Sequence, residues 1–166
     1  LDEIAATTGV DPVALRLRYL DDPRAIEVVR VAAERAGWGE PVAGASGLRV
    51  GRGFAYARYE TEYTYVATVA EVEVDPATGA VRVRRVVVAH DCGKIINPDG
   101  VSNQVEGNVI QGISRALRER VDWDGHEVTT LTWETYPILT FPEVPEIEVV
   151  LIDRPEEPPL GAGEPA

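Results

Sequence analysis

The segment 89-AHDCGKIINPDGVSNQVEGNVIQGISRAL-117 contains, in order, the end of a strand, a turn and a helix. The β-branched, apolar run from Val81 to Ala89 that leads into it predicts a buried strand. The turn is predicted at Asn97-Pro98-Asp99-Gly100, with Asp99 as the candidate N-cap of the helix. Apolar residues then recur at helical spacing, which predicts one long helix whose buried face consists of Val101, Val105, Val109, Ile113, Ala116 and Leu117.

The remaining faces of this predicted helix carry few charges. Gly112 projects onto the apolar face, where a missing side chain would permit close approach to a sheet. Opposite that face lie amides, a hydroxyl and a glycine: Asn103, Gln104, Gly107, Asn108, Gln111 and Ser114. Amides both donate and accept hydrogen bonds without the desolvation cost of a charge. Two interpretations follow: a face that binds a buried polar ligand, or a helix between two layers whose amides bond neighbouring loops.

The residues before this segment predict a helical part and then strands. Asp11-Pro12 and Asp22-Pro23 each place an N-cap before a proline at the first helical position. A connector rich in glycine, proline and serine, from Gly39 to Gly51, predicts a boundary between two units. We therefore expect a helical segment over residues 1–38 and an α+β lobe over residues 39–166.

Alternating apolar and polar residues predict the strands of this lobe. Asp75 to Gly79 is typical of a hairpin loop. Glutamates and arginines on the two sides of the hairpin are expected to face each other, each pair contributing roughly 0.2–1 kcal/mol. The predicted fold class is α+β, with an N-terminal helical segment followed by a largely antiparallel sheet packed against one long central helix. Its strand candidates are Phe54 to Glu60, Tyr63 to Asp75, Val81 to Ala89, Val128 to Tyr136 and Ile147 to Ile152.

Composition limits the classes of partner. The 166 residues carry a net charge of -12 and offer no basic stripe, which argues against nucleic acid. No stretch has the apolar length of a membrane span. The single cysteine, Cys92, excludes an internal disulfide and a cysteine cluster for metal, and no paired histidines have metal-ligand spacing, so no metal ligand is predicted. Because methionine is absent and the sequence stops at Gly-Glu-Pro-Ala, we expect a fragment of a longer polypeptide.

Two residues outside the helix carry reactive groups. Glu164 follows Leu160-Gly161-Ala162-Gly163, and glycines let a backbone approach a ligand closely, so Glu164 is either a solvated acid or a general base. Cys92 lies two residues after His90, which is compatible with a thiolate pair, but residues i and i+2 of a strand are rarely close enough to bond. The simpler interpretation of Cys92 is a buried thiol.

Taken together, these segments resemble the C-terminal part of the molybdopterin-binding large subunit of the xanthine dehydrogenase/aldehyde oxidase family of molybdenum hydroxylases. The resemblance covers nearly the whole sequence, and its strength is the order and spacing of many short motifs. Those motifs are Leu1 to Ala5, Asp11 to Arg16, Gly51 to Ala55, Tyr65 to Ala67, Asp75 to Gly79, Asp91 to Gly93, Ile96 to Pro98, Gln104 to Gly107, Gln111-Gly112 and Gly161 to Pro165.

The resemblance implies a function for the amide-rich face and for the glutamate. It implies that Glu164 is the general base in the oxidation of an aldehyde or N-heterocycle C–H, with water as the oxygen source. The implied cofactor is molybdopterin with molybdenum, in its cytosine dinucleotide form. Residues implied to bind it are Cys92, Gly93, Lys94, Asn97, Gln104, Gln111 and Gly112. Lys94, the sole lysine in the sequence, would offset the charge of a pyrophosphate.

The resemblance also implies partners. Iron–sulfur clusters and FAD are expected on partner subunits or domains, together with the rest of the same large subunit and a small-molecule substrate. A cytoplasmic location is expected, with the periplasm as the alternative for exported complexes. The family subunit is far longer, so the 166 residues alone are expected to bind the cofactor weakly and to lack turnover. The competing interpretations are a non-catalytic cofactor- or partner-binding module of the same ancestry and an unrelated acidic α+β scaffold.

Overall fold

A computed structural model describes residues 1–163, with the side chain of residue 61 left out. Three helices come first, at Asp2–Thr8 (α1), Pro12–Tyr19 (α2) and Pro23–Arg35 (α3). Three strands follow, and then one long helix and a last strand. These elements are β1 at Arg49–Arg58, β2 at Tyr65–Val74, β3 at Val81–Asp91, α4 at Pro98–Leu117 and β4 at Glu146–Leu151.

The predicted helix starts are confirmed by their caps. The Asp11 carboxylate accepts hydrogen bonds from the backbone N–H groups of Val13 and Ala14, and Asp22 accepts one from Arg24 N. In both helices the proline that follows the cap occupies the first turn, where its missing N–H costs nothing. Helix α1 ends at Gly9, whose φ of 68° is the left-handed conformation that glycine adopts without strain.

The four strands form one mixed sheet in the order β1-β2-β3-β4. The β1–β2 and β2–β3 pairs are antiparallel, whereas β3 and β4 are parallel. The predicted α+β class is therefore confirmed, and the parallel pair is an addition to it. Parallel strands need a long crossover, and the segment containing α4 provides it.

Helices cover both faces of the sheet. On one face α3 packs against β2 and β3, in a core that includes Val28, Val29 and Val87 and that Phe54 of β1 joins. On the other face Val105 of α4 packs against valines of β2 and β3. The first helices thus share a hydrophobic core with the sheet. The division at residue 38 stays a prediction.

The hairpin prediction is confirmed in detail. Asp75 N donates to Ala80 O at 2.9 Å, and the Asp75 carboxylate accepts from Ala77 N, which closes the turn. Arg82 lies 3.7 Å from Glu73, and Arg84 lies 3.7 Å from Glu71. The alternating charges therefore pair across the hairpin as expected.

Three local predictions are wrong. Asn97, and not Asp99, caps α4, because Pro98 takes the first helical position and Asn97 Oδ1 accepts from Gly100 N at 3.0 Å. Residues 128–136 form turns, with a single bridge from Val128 to Trp123, because their apolar side chains find no partner strand. On α4 the buried stripe stops early, since Ala116 and Leu117 are exposed.

No helix within residues 1–163 is long and apolar enough to cross a membrane. In the same range, no group of three or more His, Cys, Asp or Glu side chains is placed to hold a metal ion.

Candidate cofactor-binding site

Two loops meet at the carboxyl ends of β3 and β4. Because these strands are parallel neighbours, the segments that follow them leave the sheet at the same edge. Arg154 N donates to Gly93 O at 3.1 Å, and Leu160 N donates to Cys92 O at 2.8 Å. These two backbone hydrogen bonds hold the loop after β4 against the loop that connects β3 to α4.

Gly93 is the point of closest approach between these loops. It has a φ of 74°, and a Cβ built on it would lie 2.1 Å from the carbonyl oxygen of Pro158. No side chain fits there without moving the backbone. The need for glycine at this position is therefore both conformational and steric.

A cavity of about 460 Å³ opens between the two loops and the first turns of α4. Its wall is mostly backbone and small residues, with one ammonium and two amide side chains. The lining residues are Cys92, Lys94, Ile96, Asn97, Gly100, Val101, Gln104, Pro159, Gly161, Ala162 and Gly163. Such a wall suits a polar, anionic ligand that lies close to the main chain at a helix N-terminus.

The structure brings together four of the residues predicted to bind a cofactor, Cys92, Lys94, Asn97 and Gln104, which all line this cavity. Gly93 does not line the cavity, but it lies between the lining residues Cys92 and Lys94 and packs closely against Pro158 of the other loop. The other two predicted residues lie further along α4 and do not line it: Gln111 and Gly112 are exposed, and Gln111 accepts from Arg115 at 3.3 Å. Glu164 lies outside the described residues.

The amide face of α4 bonds a neighbouring loop. Gln104 Nε2 and Asn108 Nδ2 both donate to the carbonyl oxygen of Gly163, at 2.8 and 2.7 Å. Ser114, predicted on the same face, is buried, and its hydroxyl accepts from Leu139 N at 2.9 Å. Of the two interpretations of this face, bonding to loops accounts for these three residues.

Gly112 does not approach the sheet as predicted. It is exposed, and a Cβ built on it would meet nothing within 4 Å. The sheet contacts α4 mainly through the buried Val105 and Val109.

Asp91 belongs to the Asp91 to Gly93 motif but was not predicted as a site residue. Its carboxylate is fully buried beneath the loop and accepts from Gly93 N at 3.0 Å. Arg24 and Arg154 also donate to it. Burial raises the pKa of Asp91, but the hydrogen bonds from these donors outweigh burial and leave the pKa below its ordinary value. The position of Asp91, an acid at the end of a long apolar strand, could have indicated a buried charge. Its partners could not be identified from sequence, because Arg24 and Arg154 lie 67 and 63 residues away.

Cys92 and His90 do not form an activated pair. Burial raises the pKa of the Cys92 thiol, and the nearby Asp91 charge adds to that effect. Both ring nitrogens of His90 are buried, and no group within residues 1–163 forms a hydrogen bond with them. These surroundings favour the buried thiol over the thiolate.

A second cavity of about 320 Å³ lies at the opposite end of α4, between the hairpin and residues 139–143. It is lined largely by apolar side chains, including Val81, Ile113 and Leu117. Of the predicted site residues within 1–163, none lines this cavity, and the glycine loops are absent from the part of its lining that the structure describes. The first cavity is therefore the candidate site.

A sheet covered by helices, with two loops and a helix start around one cavity that carries an ammonium and two amides, is an arrangement that can hold a cofactor. Residues 3–145 match the model of the molybdopterin cofactor-binding domain. This chain belongs to that family, as the sequence resemblance predicted.

Similar proteins include subunits of oxidoreductases. The nicotinate dehydrogenase component from Pseudomonas putida is 48% identical over 100% of this chain and 15% of its own length. The beta component of isoquinoline 1-oxidoreductase from Brevundimonas diminuta is 38% identical over 92% of this chain and 19% of its own. The chain thus spans less than a fifth of the length of these two relatives.

Solved structures with the same fold include quinoline 2-oxidoreductase from Pseudomonas putida 86. It covers 61% of this chain and 14% of its own, with a TM-score of 0.57 and 34% identity. The aldehyde oxidoreductase from Desulfovibrio gigas aligns over 61% of this chain and 12% of its own, with a TM-score of 0.53 and 29% identity.

Proposed function

We propose that this chain forms part of the cofactor site of a molybdenum-dependent hydroxylase that oxidises an N-heterocycle or an aldehyde. The observation that carries the proposal is the convergence of the loop after β3, the start of α4 and the Gly161–Gly163 loop on one cavity. When bound, the cofactor supplies two-electron redox chemistry, with water as the oxygen source for the product.

The residues around the cavity fit the dinucleotide form of that cofactor. The Lys94 ammonium would offset the charge of a pyrophosphate, and the amide-capped start of α4 adds the partial positive charge of a helix N-terminus. Asn97 and Gln104 add polar groups to the wall, and glycines allow close approach. The cytosine dinucleotide is the specific form we propose.

Glu164 is the proposed general base. It follows directly on Gly163, the last residue of the cavity lining, so its chain position is adjacent to the site. A carboxylate held beside the reacting groups can accept a proton as the substrate is oxidised. Electrons would then leave through partner subunits that carry iron–sulfur clusters and a flavin.

The test uses the complete large subunit purified with its partners. Molybdenum and the nucleotide released by acid are measured, and turnover is assayed with nicotinate, other N-heterocycles and aldehydes with a dye acceptor. Nicotinate comes first because the 48%-identical relative is named nicotinate dehydrogenase. We expect near-stoichiometric molybdenum, and a loss of kcat of about 10²- to 10⁴-fold on Glu164→Gln.

Glu156→Gln is the matched control, since Glu156 is an exposed carboxylate on the same loop outside the cavity lining. It should leave turnover unchanged. Absence of molybdenum and turnover would instead indicate the non-catalytic module, and full activity of Glu164→Gln would remove Glu164 from the mechanism.

A further inference from the structure

We propose that Asn108, assisted by Gln104, is a positioning residue that fixes the peptide carbonyl directly before Glu164. The inference rests on the proposed role of Glu164 as general base. It assigns part of the amide face of α4 to holding the base, in place of direct binding of the cofactor.

Two side-chain amides of α4 donate to one carbonyl oxygen of the glycine loop. Asn108 Nδ2 and Gln104 Nε2 donate to the Gly163 carbonyl oxygen at 2.7 and 2.8 Å. The two residues are one helical turn apart, so their side chains extend from the same face of α4. A carbonyl oxygen has two lone pairs and can accept both bonds at once.

Other elements hold the same loop at two earlier points. The hydroxyl of the buried Thr64 donates to Gly161 O at 2.7 Å, and Leu160 N donates to Cys92 O at 2.8 Å. The loop is therefore bonded at residues 160, 161 and 163 by three different parts of the fold.

This arrangement compensates for the composition of the loop. Glycine loses more conformational freedom on ordering than any other residue, so Gly161 and Gly163 make this loop costly to order. General-base catalysis requires a fixed geometry, and a displacement of about 1 Å can cost about 100-fold in rate. Order must come from outside the loop, and the amides of α4 supply it at its last described residue.

The experiment compares Asn108→Leu with wild type in the complete large subunit and its partners. Leucine has a similar size and no donor. We expect kcat to fall by about 10- to 100-fold, with KM and the molybdenum and nucleotide contents unchanged. Amide hydrogen exchange, measured by mass spectrometry, should accelerate in the peptide covering residues 159–166 and in no other. Asn108→Gln, which keeps a donor on a longer arm, should restore part of the rate.

Asn103→Leu is the matched control on the same helix. Asn103 is exposed and does not line the cavity, and its one side-chain hydrogen bond among residues 1–163 is to Asp99, at 3.4 Å. Wild-type kcat and exchange in Asn108→Leu, with Glu164→Gln inactive, would overturn the inference and leave the proposed function standing. Loss of molybdenum or nucleotide from Asn108→Leu would also overturn it, because Asn108 would then be a cofactor ligand. Activity in Glu164→Gln would overturn both proposals.

Discussion

Asp91 accepts two hydrogen bonds from the guanidinium of Arg24, at 3.0 Å from Nε and 2.5 Å from Nη2, across 67 residues of sequence. The same carboxylate accepts from Arg154 Nε at 2.9 Å, and Arg154 also pairs with Glu27 at 2.6 Å. Helix α3, the end of β3 and the residues after β4 are thereby joined at one buried charge. The cluster lies directly beneath the loop that lines the candidate site.

Asp91→Asn should destabilise the chain strongly. The amide keeps the shape of the side chain but removes the charge that compensates two guanidiniums, which are only 18% and 26% exposed. Breaking such a buried pair from one side costs about 3–5 kcal/mol, and we expect the lower end because Arg154 retains Glu27. Urea denaturation of the 166-residue chain measures the loss.

Asp122→Asn serves as the control for this measurement. Arg120 and Asp122 form an ion pair whose side chains are 80% and 51% exposed. Exposed pairs contribute little, so no measurable change is expected. A similar effect of both substitutions would show that the Asp91 cluster adds no more than a surface pair.

His90 should make stability depend on pH in a defined window. Burial lowers its pKa from 6.5 to about 4, although the Asp91 charge opposes this shift. The unfolded chain therefore takes up a proton between pH 6.5 and pH 4 that the folded chain does not. The free energy of unfolding should fall by about 3 kcal/mol as the pH drops through that window.

His90→Leu should remove most of this dependence, since leucine has a similar volume and no ionisable group. Urea denaturation at several pH values between about 7 and about 5 tests it, because the carboxylates of lowered pKa add their own loss of stability only below that range, as they become protonated in the unfolded chain. His126→Gln is the control, because His126 is exposed in a turn. If His90→Leu kept the wild-type slope, His90 would not be the group responsible.

The elements of this fold that sequence predicted are those fixed by local chemistry. Asp11-Pro12 and Asp22-Pro23 start helices because the cap and the proline act within one turn. The hairpin at Asp75 and the strand that ends at Asp91 could be predicted for the same reason. Turn residues and β-branched residues each favour a particular conformation of their own backbone.

The features that the sequence did not predict are contacts between residues far apart in the chain. The partners of Asp91 lie on α3 and after β4, and the buried hydroxyl of Ser114 accepts from Leu139 N, 25 residues later. Residues 128–136 have a strand-like pattern, but no neighbouring strand within residues 1–163 pairs with them. Of the residues that the family resemblance implied, Cys92, Lys94, Asn97 and Gln104 line the cavity, whereas Gln111 and Gly112 do not. Their binding of a cofactor stays a prediction, because neither motif order nor periodicity shows which helix positions face a cavity built from distant loops.

Gly112→Ala should stabilise the chain by about 0.5–1 kcal/mol, because glycine inside a helix has an entropic cost relative to alanine. An added Cβ here meets nothing within 4 Å. Gly107→Ala is the internal comparison, since it is also helical and unobstructed. Thermal and urea denaturation measure both variants. A loss of stability in Gly112→Ala alone would indicate that this position is packed after all, as the sequence suggested.

Comparing Gly93→Ala with Gly79→Ala separates the steric requirement for glycine at position 93 from the conformational one. Their φ angles are 74° and 75°, so alanine has the same backbone strain at each, about 1–2 kcal/mol. At Gly79 a Cβ meets nothing within 4 Å, whereas at Gly93 it would lie 2.1 Å from the Pro158 carbonyl. Gly93→Ala must therefore push the two loops apart, and we expect it to cost about 1–3 kcal/mol more than Gly79→Ala in urea denaturation.

Hydrogen exchange locates that extra cost. In Gly93→Ala the amides of Arg154 and Leu160, which bond Gly93 O and Cys92 O, should exchange faster, whereas Gly79→Ala should affect only its hairpin. Equal losses of stability, with both amides still protected, would mean that the loops relax around the methyl group. Close packing at Gly93 would then play no part in shaping the cavity wall.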